Sequence, residues 1–199
     1  MRATLCGGLV AIACALAVGC ATTRPVHYYT LAAASVPANQ VKPDGPAILV
    51  GPIEAGELLQ DTRILYRSGA NMAGAYEYHR WTQRPATMVR EGLLRALRSS
   101  GEFRKVLEST SSTTGDYLVR GKLYEFGEVD DPSVKTSISL QLALIDTKTN
   151  RDVWDRHYSR EEPAAGKSMK DVVESMDRNL QQVLNQAAAD IGRFTAARH

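Results

Sequence analysis

A stretch at the start of the chain constrains its fold more than any other feature. Arg2 is followed by a run without charge from Ala3 to Ala21 that contains Leu5, Leu9, Val10, Ile12, Leu16 and Val18. A positive residue followed by an apolar core is the layout of an export signal. The competing reading is a transmembrane helix, since about 18 to 20 apolar residues suffice to span a bilayer. The run is rich in Ala and Gly, however, and no basic stop-transfer cluster follows closely. All three cysteines, Cys6, Cys14 and Cys20, lie inside it. Beyond residue 20 the chain has no means of forming a disulfide or a thiolate metal site, so it must fold on its hydrophobic core alone.

Leu16-Ala17-Val18-Gly19-Cys20 resembles a lipobox. In that motif small residues precede a cysteine that receives diacylglycerol and becomes the new N-terminus on cleavage. Cys14, after Ala11-Ile12-Ala13, is the competing cysteine, but it would leave an apolar core too short for a typical signal. Cys20 is therefore the expected lipid attachment. The expected division is a signal peptide over 1–19, a lipidated tether over 20–46 and a single periplasmic domain over 47–195. Ala rather than Asp follows the cysteine. By resemblance to the enterobacterial sorting rule, that favours the outer membrane.

About 180 residues remain after such cleavage, the usual size of one domain with a proper core. The formal net charge is only +2 with Arg2 included, so no strong field for nucleic acid is expected. Pro25, Pro37, Pro43 and Pro46 mark the linker. If Tyr28-Tyr29-Thr30-Leu31 docks on the domain, the free tether reaches only about 20 Å.

The rest predicts an α+β fold: a mixed, largely antiparallel sheet of five to seven strands covered by two helices. Ala47 to Ile53 is a short apolar run stopped by Gly and Pro, and reads as a strand. Ile64-Leu65-Tyr66 and Ala75 to Trp81 read as a hairpin whose Gly-rich Ser68 to Gly74 forms a long loop. Met88, Val89, Leu93, Ala96 and Leu97 recur at helical spacing behind Pro85, with Arg90, Arg95 and Arg98 on a solvated face. Tyr117 to Tyr124 alternates as a strand. Val134, Thr136, Ile138, Leu140, Leu142 and Leu144 share one face of the next, and Val153 to Arg160 closes an antiparallel set of three. Ser168 and Asp171 resemble a capping box opening a helix whose stripe runs from Met169 to Ile191 and packs on the sheet.

Tests for chemistry fail. His27, His79, His157 and His199 show no metal-ligand spacing, and the hydrolase elbow, phosphate loop and dinucleotide turn are all missing from the sequence. A carboxylate pair assembled by the fold, for instance from Glu125, Glu128, Asp130, Asp131, Glu161 and Glu162, is the one catalytic arrangement left open. No enzyme activity and no cofactor are expected.

An ordered set of segments carries a resemblance: the lipobox, Tyr28-Tyr29-Thr30-Leu31, Ile48-Leu49-Val50-Gly51-Pro52, Arg63 to Arg67, Tyr78-His79-Arg80-Trp81 and Val153-Trp154. Together they resemble the ABC-type transport auxiliary lipoprotein family, the PqiC-like lipoproteins, over nearly the whole mature chain. The resemblance implies a non-catalytic part of a lipid-transport system, docking a periplasm-spanning MCE-domain bridge at the outer membrane. Its implied partners are an MCE-domain protein of an ABC lipid transporter and the membrane, reached through the N-terminal lipid; self-association is left open. Lipid in transit needs shelter, since exposed acyl chain costs about 0.8 kcal/mol per methylene in water. The strands alternate as half-buried sheet, so no all-apolar cavity is expected in the domain itself. The alternative is an outer-membrane lipoprotein that activates or scaffolds another envelope machine. Candidate partner-binding residues are Tyr66, Arg67, Tyr76, Tyr78 and Arg80, because aromatics and arginines on a projecting hairpin suit an interface.

Replacing Cys20 with Ser should abolish incorporation of labelled palmitate and processing by signal peptidase II. Unchanged labelling and membrane fractionation would remove Cys20 as the anchor.

Overall fold

The computed structural model describes residues 24–31, 41–69, 71–110 and 112–198; Cys20 lies outside them. The elements are β1 (His27–Tyr29), β2 (Ala47–Ala55), β3 (Arg63–Ser68), β4 (Met72–Trp81), α1 (Pro85–Ser100), β5 (Lys105–Glu108), β6 (Tyr117–Asp130), β7 (Val134–Asp146), β8 (Arg151–Pro163) and α2 (Met169–Ala196). A short 3-10 turn, Glu57–Gln60, connects β2 to β3. The fold is α+β, as expected, with eight strands instead of five to seven. The additional strands are β1 and β5, three and four residues long, too short for a period-two pattern to declare itself.

β6 organises the sheet. Along one edge it pairs antiparallel with β7 over its whole length, and β7 pairs antiparallel with β8. Its other edge is shared. Tyr117 to Leu123 pair parallel with β2, and Gly127 to Asp130 pair parallel with β3. β2 continues outward to β5, while β3 continues to β4 and then β1. The longest ladders are antiparallel, but both strands that share the second edge of β6 are parallel to it.

The two helices cover one face. Val134, Thr136, Ile138, Leu140, Leu142 and Leu144 of β7 are all buried. α2 answers with Val172, Met176, Leu180, Val183, Leu184, Ala187 and Ile191. Its start is fixed by the expected capping box, the Asp171 amide donating to Ser168 Oγ and the Ser168 amide to Asp171 Oδ2, both at 3.2 Å. α1 begins at Pro85 and ends at Gly101, whose φ of 74° is the left-handed conformation that closes a helix. The arginines of α1 do more than meet solvent. Arg90 pairs with Glu108 at 3.1 Å and Arg98 Nε donates to the Val106 carbonyl at 3.2 Å, clipping the helix to β5.

Polar contacts set how α2 lies on the sheet. Buried Asn179 donates through Nδ2 to the carbonyls of Thr136 and Arg160, at 3.0 and 3.2 Å. Near the far end, buried Asp190 accepts from Arg156 at 2.5 Å and Tyr158 at 3.0 Å, and also pairs with Arg193. Burial works to raise the Asp190 carboxyl, but the Arg156 and Tyr158 hydrogen bonds outweigh it and hold the group below the ordinary carboxylate range. The β7–β8 turn is equally specific. Asp146 Oδ1 accepts the amides of Lys148 and Thr149, both at 2.9 Å, and Asn150 takes a positive φ of 52°.

Trp81 is 1% exposed and meets Phe126 edge-on at 5.7 Å, whereas Trp154 is half-buried against Phe194 at 6.5 Å. Trp81→Ala should lower unfolding free energy in urea by about 3 to 5 kcal/mol. Trp154→Ala should cost clearly less. Equal losses would contradict this division of the core. Trp81→Phe should recover much of the loss, because buried Trp81 Nε1 has no hydrogen-bond partner to forfeit.

Candidate functional site

The hairpin of β3 and β4 does not carry a long loop. The ladder runs on to Ser68 opposite Met72, so only a tight connection through Gly69, at φ 63°, separates the strands. Gly74 belongs to β4, and its small size admits a ring rather than a turn. A Cβ there would come within 2.6 Å of the Tyr66 ring. Glycine marks turns in sequence, but here it marks a close approach.

The structure separates the five candidate residues into two groups. Tyr66 and Tyr76 pack together with ring centres 4.9 Å apart. Tyr76 Oη donates to Glu128 Oε2 at 2.9 Å, and its ring meets His79 edge-on at 5.7 Å. His79 Nδ1 in turn hydrogen-bonds Tyr29 Oη at 2.9 Å, and its ring stacks on His27 at 5.5 Å. These residues join β1, β4, β3 and β6. Tyr78, Arg80 and Arg67 belong elsewhere. The Arg24 guanidinium lies 5.9 Å above the Tyr78 ring, and Arg80 pairs with Asp61 at 3.7 Å. Arg67 has no carboxylate partner among the described residues.

The electrostatics follow burial. Glu128 is 6% exposed, and desolvation raises its carboxyl pKa despite the opposing Tyr76 hydrogen bond. Burial also raises the Tyr76 phenol, with Glu128 adding to the shift. His79 is lowered by burial and then by the nearby His27.

A second feature was not legible in the sequence. Where β2 leaves β6 and β3 joins it, a cleft of about 440 Å³ opens in the sheet. Its walls include Leu58, Leu59, Leu65, Leu123, Phe126 and Val129, with Arg67, Lys122 and Tyr124 at its margin. Leu58 is 67% exposed and Tyr124 45% exposed. The cleft is not an all-apolar cavity, since Glu57, Arg67, Lys122, Glu125, Glu128 and Ser137 also line it; it lies between strands that each alternate. Leu58-Leu59 in an otherwise polar stretch was the one available signal. Among the described residues, no cluster of three or more His, Cys, Asp or Glu is placed to hold a metal. None of the described helices is long and apolar enough to cross a membrane.

The family model for the ABC-type transport auxiliary lipoprotein component matches residues 29–188. The chain belongs to this family. The auxiliary lipoprotein's fold is similar to that of protein XCC0632 from Xanthomonas campestris, at TM-score 0.76 and 18% identity, over 87% of this chain and all of that one. A second solved structure, described only as an uncharacterized protein, aligns at TM-score 0.65 and 16% identity over 85% of this chain and 98% of its own. The hypothetical protein CT253 from Chlamydia trachomatis aligns at TM-score 0.51 and 12% identity, over 77% and 99%. No curated protein matches the chain. The β3–β4 hairpin and Tyr29, the last residue of β1, lie within the matched segment, so the aromatic network apart from His27 falls inside the family match.

The raised Glu128 carboxyl means that its ionised form costs stability above its folded pKa, and that this cost disappears as pH falls and the group takes up a proton. Glu128→Gln should therefore raise the melting temperature by a few degrees at pH 8. The gain should shrink toward pH 4. A variant less stable than wild type at pH 8 would show that the Tyr76 hydrogen bond outweighs desolvation.

Proposed function

We propose that the chain is a non-catalytic, membrane-anchored subunit of an ABC lipid-transport system, docking an MCE-domain periplasmic bridge at the outer membrane. The observation that carries this reading is the family match across 29–188. Anchor geometry supports it. β1 starts at His27 and pairs with β4, so a lipid on Cys20 would tether the domain through only a few residues, about 3.3 Å each when extended. Ala21 after the cysteine supports outer-membrane retention.

Docking is proposed on the outward side of the β3–β4 hairpin. Tyr66 and Tyr76 support that surface from within, while Arg67, Tyr78 and Arg80, with exposed Met72 between the strands, offer the contacts. An aromatic interface with arginines needs no catalytic group, which fits the failed motif tests.

The test is co-purification of the full-length lipoprotein from cross-linked membranes, with partners identified by mass spectrometry. An MCE-domain protein should be recovered. Met72→Glu combined with Tyr78→Ala should weaken that recovery by about thirtyfold, the equivalent of a ~2 kcal/mol interface anchor, with melting temperature unchanged. Recovery of a different envelope machine and no MCE protein would instead favour the activator or scaffold alternative.

A further inference from the structure

The cleft is made by the chain's own topology. Leu123 of β6 pairs with Ala55 of β2, and the next partner on that edge is Leu65 of β3, opposite Gly127. Tyr124, Glu125 and Phe126 therefore have no strand beside them there, and a register shift against β7 falls at the same place, between Leu123 and Glu125. The 3-10 turn that links β2 to β3 closes the opening from outside, bringing Leu58 and Leu59 to the wall.

We propose that this cleft binds one acyl chain of an anionic phospholipid. Its volume of about 440 Å³ falls in the range of small-ligand sites, ~300 to 1,000 Å³, and is too small for a packed helix about 10 Å across. A peptide would compete for the unpaired β6 edge at Tyr124 to Phe126, but the wall of Leu58, Leu59, Leu65, Leu123, Phe126 and Val129 favours a hydrocarbon chain. Such a chain needs no hydrogen-bond partners. At the margin, Lys122 sits 5.3 Å above the Tyr124 ring, and neither it nor Arg67 is paired with a carboxylate among the described residues. The acidic neighbours are largely engaged: Glu125 accepts from Ser137 at 2.7 Å and Glu128 from Tyr76. Glu57 on the turn and Glu54, the cross-strand neighbour of Lys122 in β2, offset the two cations only in part. A phosphate head group placed between Arg67 and Lys122 would supply the missing charge.

The inference rests on the lipid-anchored reading only for bringing the cleft near a bilayer, because β1, which follows the tether, is laid on the same β3–β4 hairpin. It makes no use of the transporter, and its test contains none.

The experiment places the photoreactive residue benzoylphenylalanine at Tyr124 in the full-length lipidated chain, reconstituted into vesicles of phosphatidylethanolamine and phosphatidylglycerol. Irradiation should add one phospholipid mass to the peptide containing position 124. The same probe at Gln186, exposed on α2, reports background labelling and should give about tenfold less. Ala73→Trp, which narrows the cleft from an exposed strand position, should remove most of the adduct, and so should Leu58→Lys on the exposed turn. Arg67→Ala with Lys122→Ala should reduce phosphatidylglycerol adducts while leaving those of phosphatidylethanolamine. Labelling at 124 equal to that at 186, or unaffected by both Ala73→Trp and Leu58→Lys in proteins of unchanged melting temperature, overturns the proposal. A protein-sized adduct at 124 in intact cells, in place of lipid, would assign the cleft to a polypeptide. Neither result would bear on recovery of the MCE protein.

Discussion

β6 keeps one edge for β7 along its whole length, from Tyr117 opposite Asp146 to Asp130 opposite Val134, and divides the other edge between β2 and β3. That division is the constraint from which the rest of the domain follows. A 14-residue strand is longer than either neighbour on its split side can cover alone, so two parallel strands must meet it end to end. The chain between them has to leave the sheet plane and return, which it does through the 3-10 turn at Glu57–Gln60. Phe126 and Trp81 are buried against each other beside the break in the ladder, and Leu58 and Leu59 of the 3-10 turn line the cleft that remains.

The same strand connects the two candidate surfaces. Glu128 lies just past the break, opposite Tyr66 in the β3 ladder, and takes the Tyr76 hydroxyl. Through that contact the buried end of β6 holds the ring pair that shapes the hairpin. A change in the cleft wall at Leu65 or Val129 therefore acts next to residues that determine how the hairpin presents Arg67 and Met72. Asp190 has the corresponding role on the helix side, where Arg156, Tyr158 and Arg193 converge on one buried carboxylate. Isolated burial of that charge would be costly, but three donors satisfy it.

Patterns that depend on a single element were legible in the sequence. The alternation from Val134 to Leu144 identified β7 and its buried face, Ser168 and Asp171 identified the start of α2, and Asp146 to Arg151 identified a turn. Features that depend on neighbours were not legible. Period-two alternation tells which way a side chain points but not which strand lies beside it, so the parallel pairing of β2 and β3 on one edge of β6 left no trace. The bulge between Leu123 and Glu125 reverses the phase of the strand beyond it, so that Phe126 and Glu128 are buried where odd-numbered residues were before. Tyr66, Tyr76 and Tyr78 looked alike as hairpin aromatics, yet two form an internal ring pair and the third sits under Arg24. Gly74 looked like part of a flexible loop because sequence cannot distinguish a glycine that bends the chain from one that makes room for a ring.

The way β1 is attached has a mechanical consequence. Its three residues pair parallel with His79, Arg80 and Trp81 of β4, and the preceding chain enters at the His27 end. Tension along β1 loads the short ladder in shear, so its hydrogen bonds share the force and must yield together rather than peel apart one after another. The Tyr29–His79 bond and the His27–His79 stack reinforce the joint across that line of load. Trp81, immobilised in the core, anchors its far end.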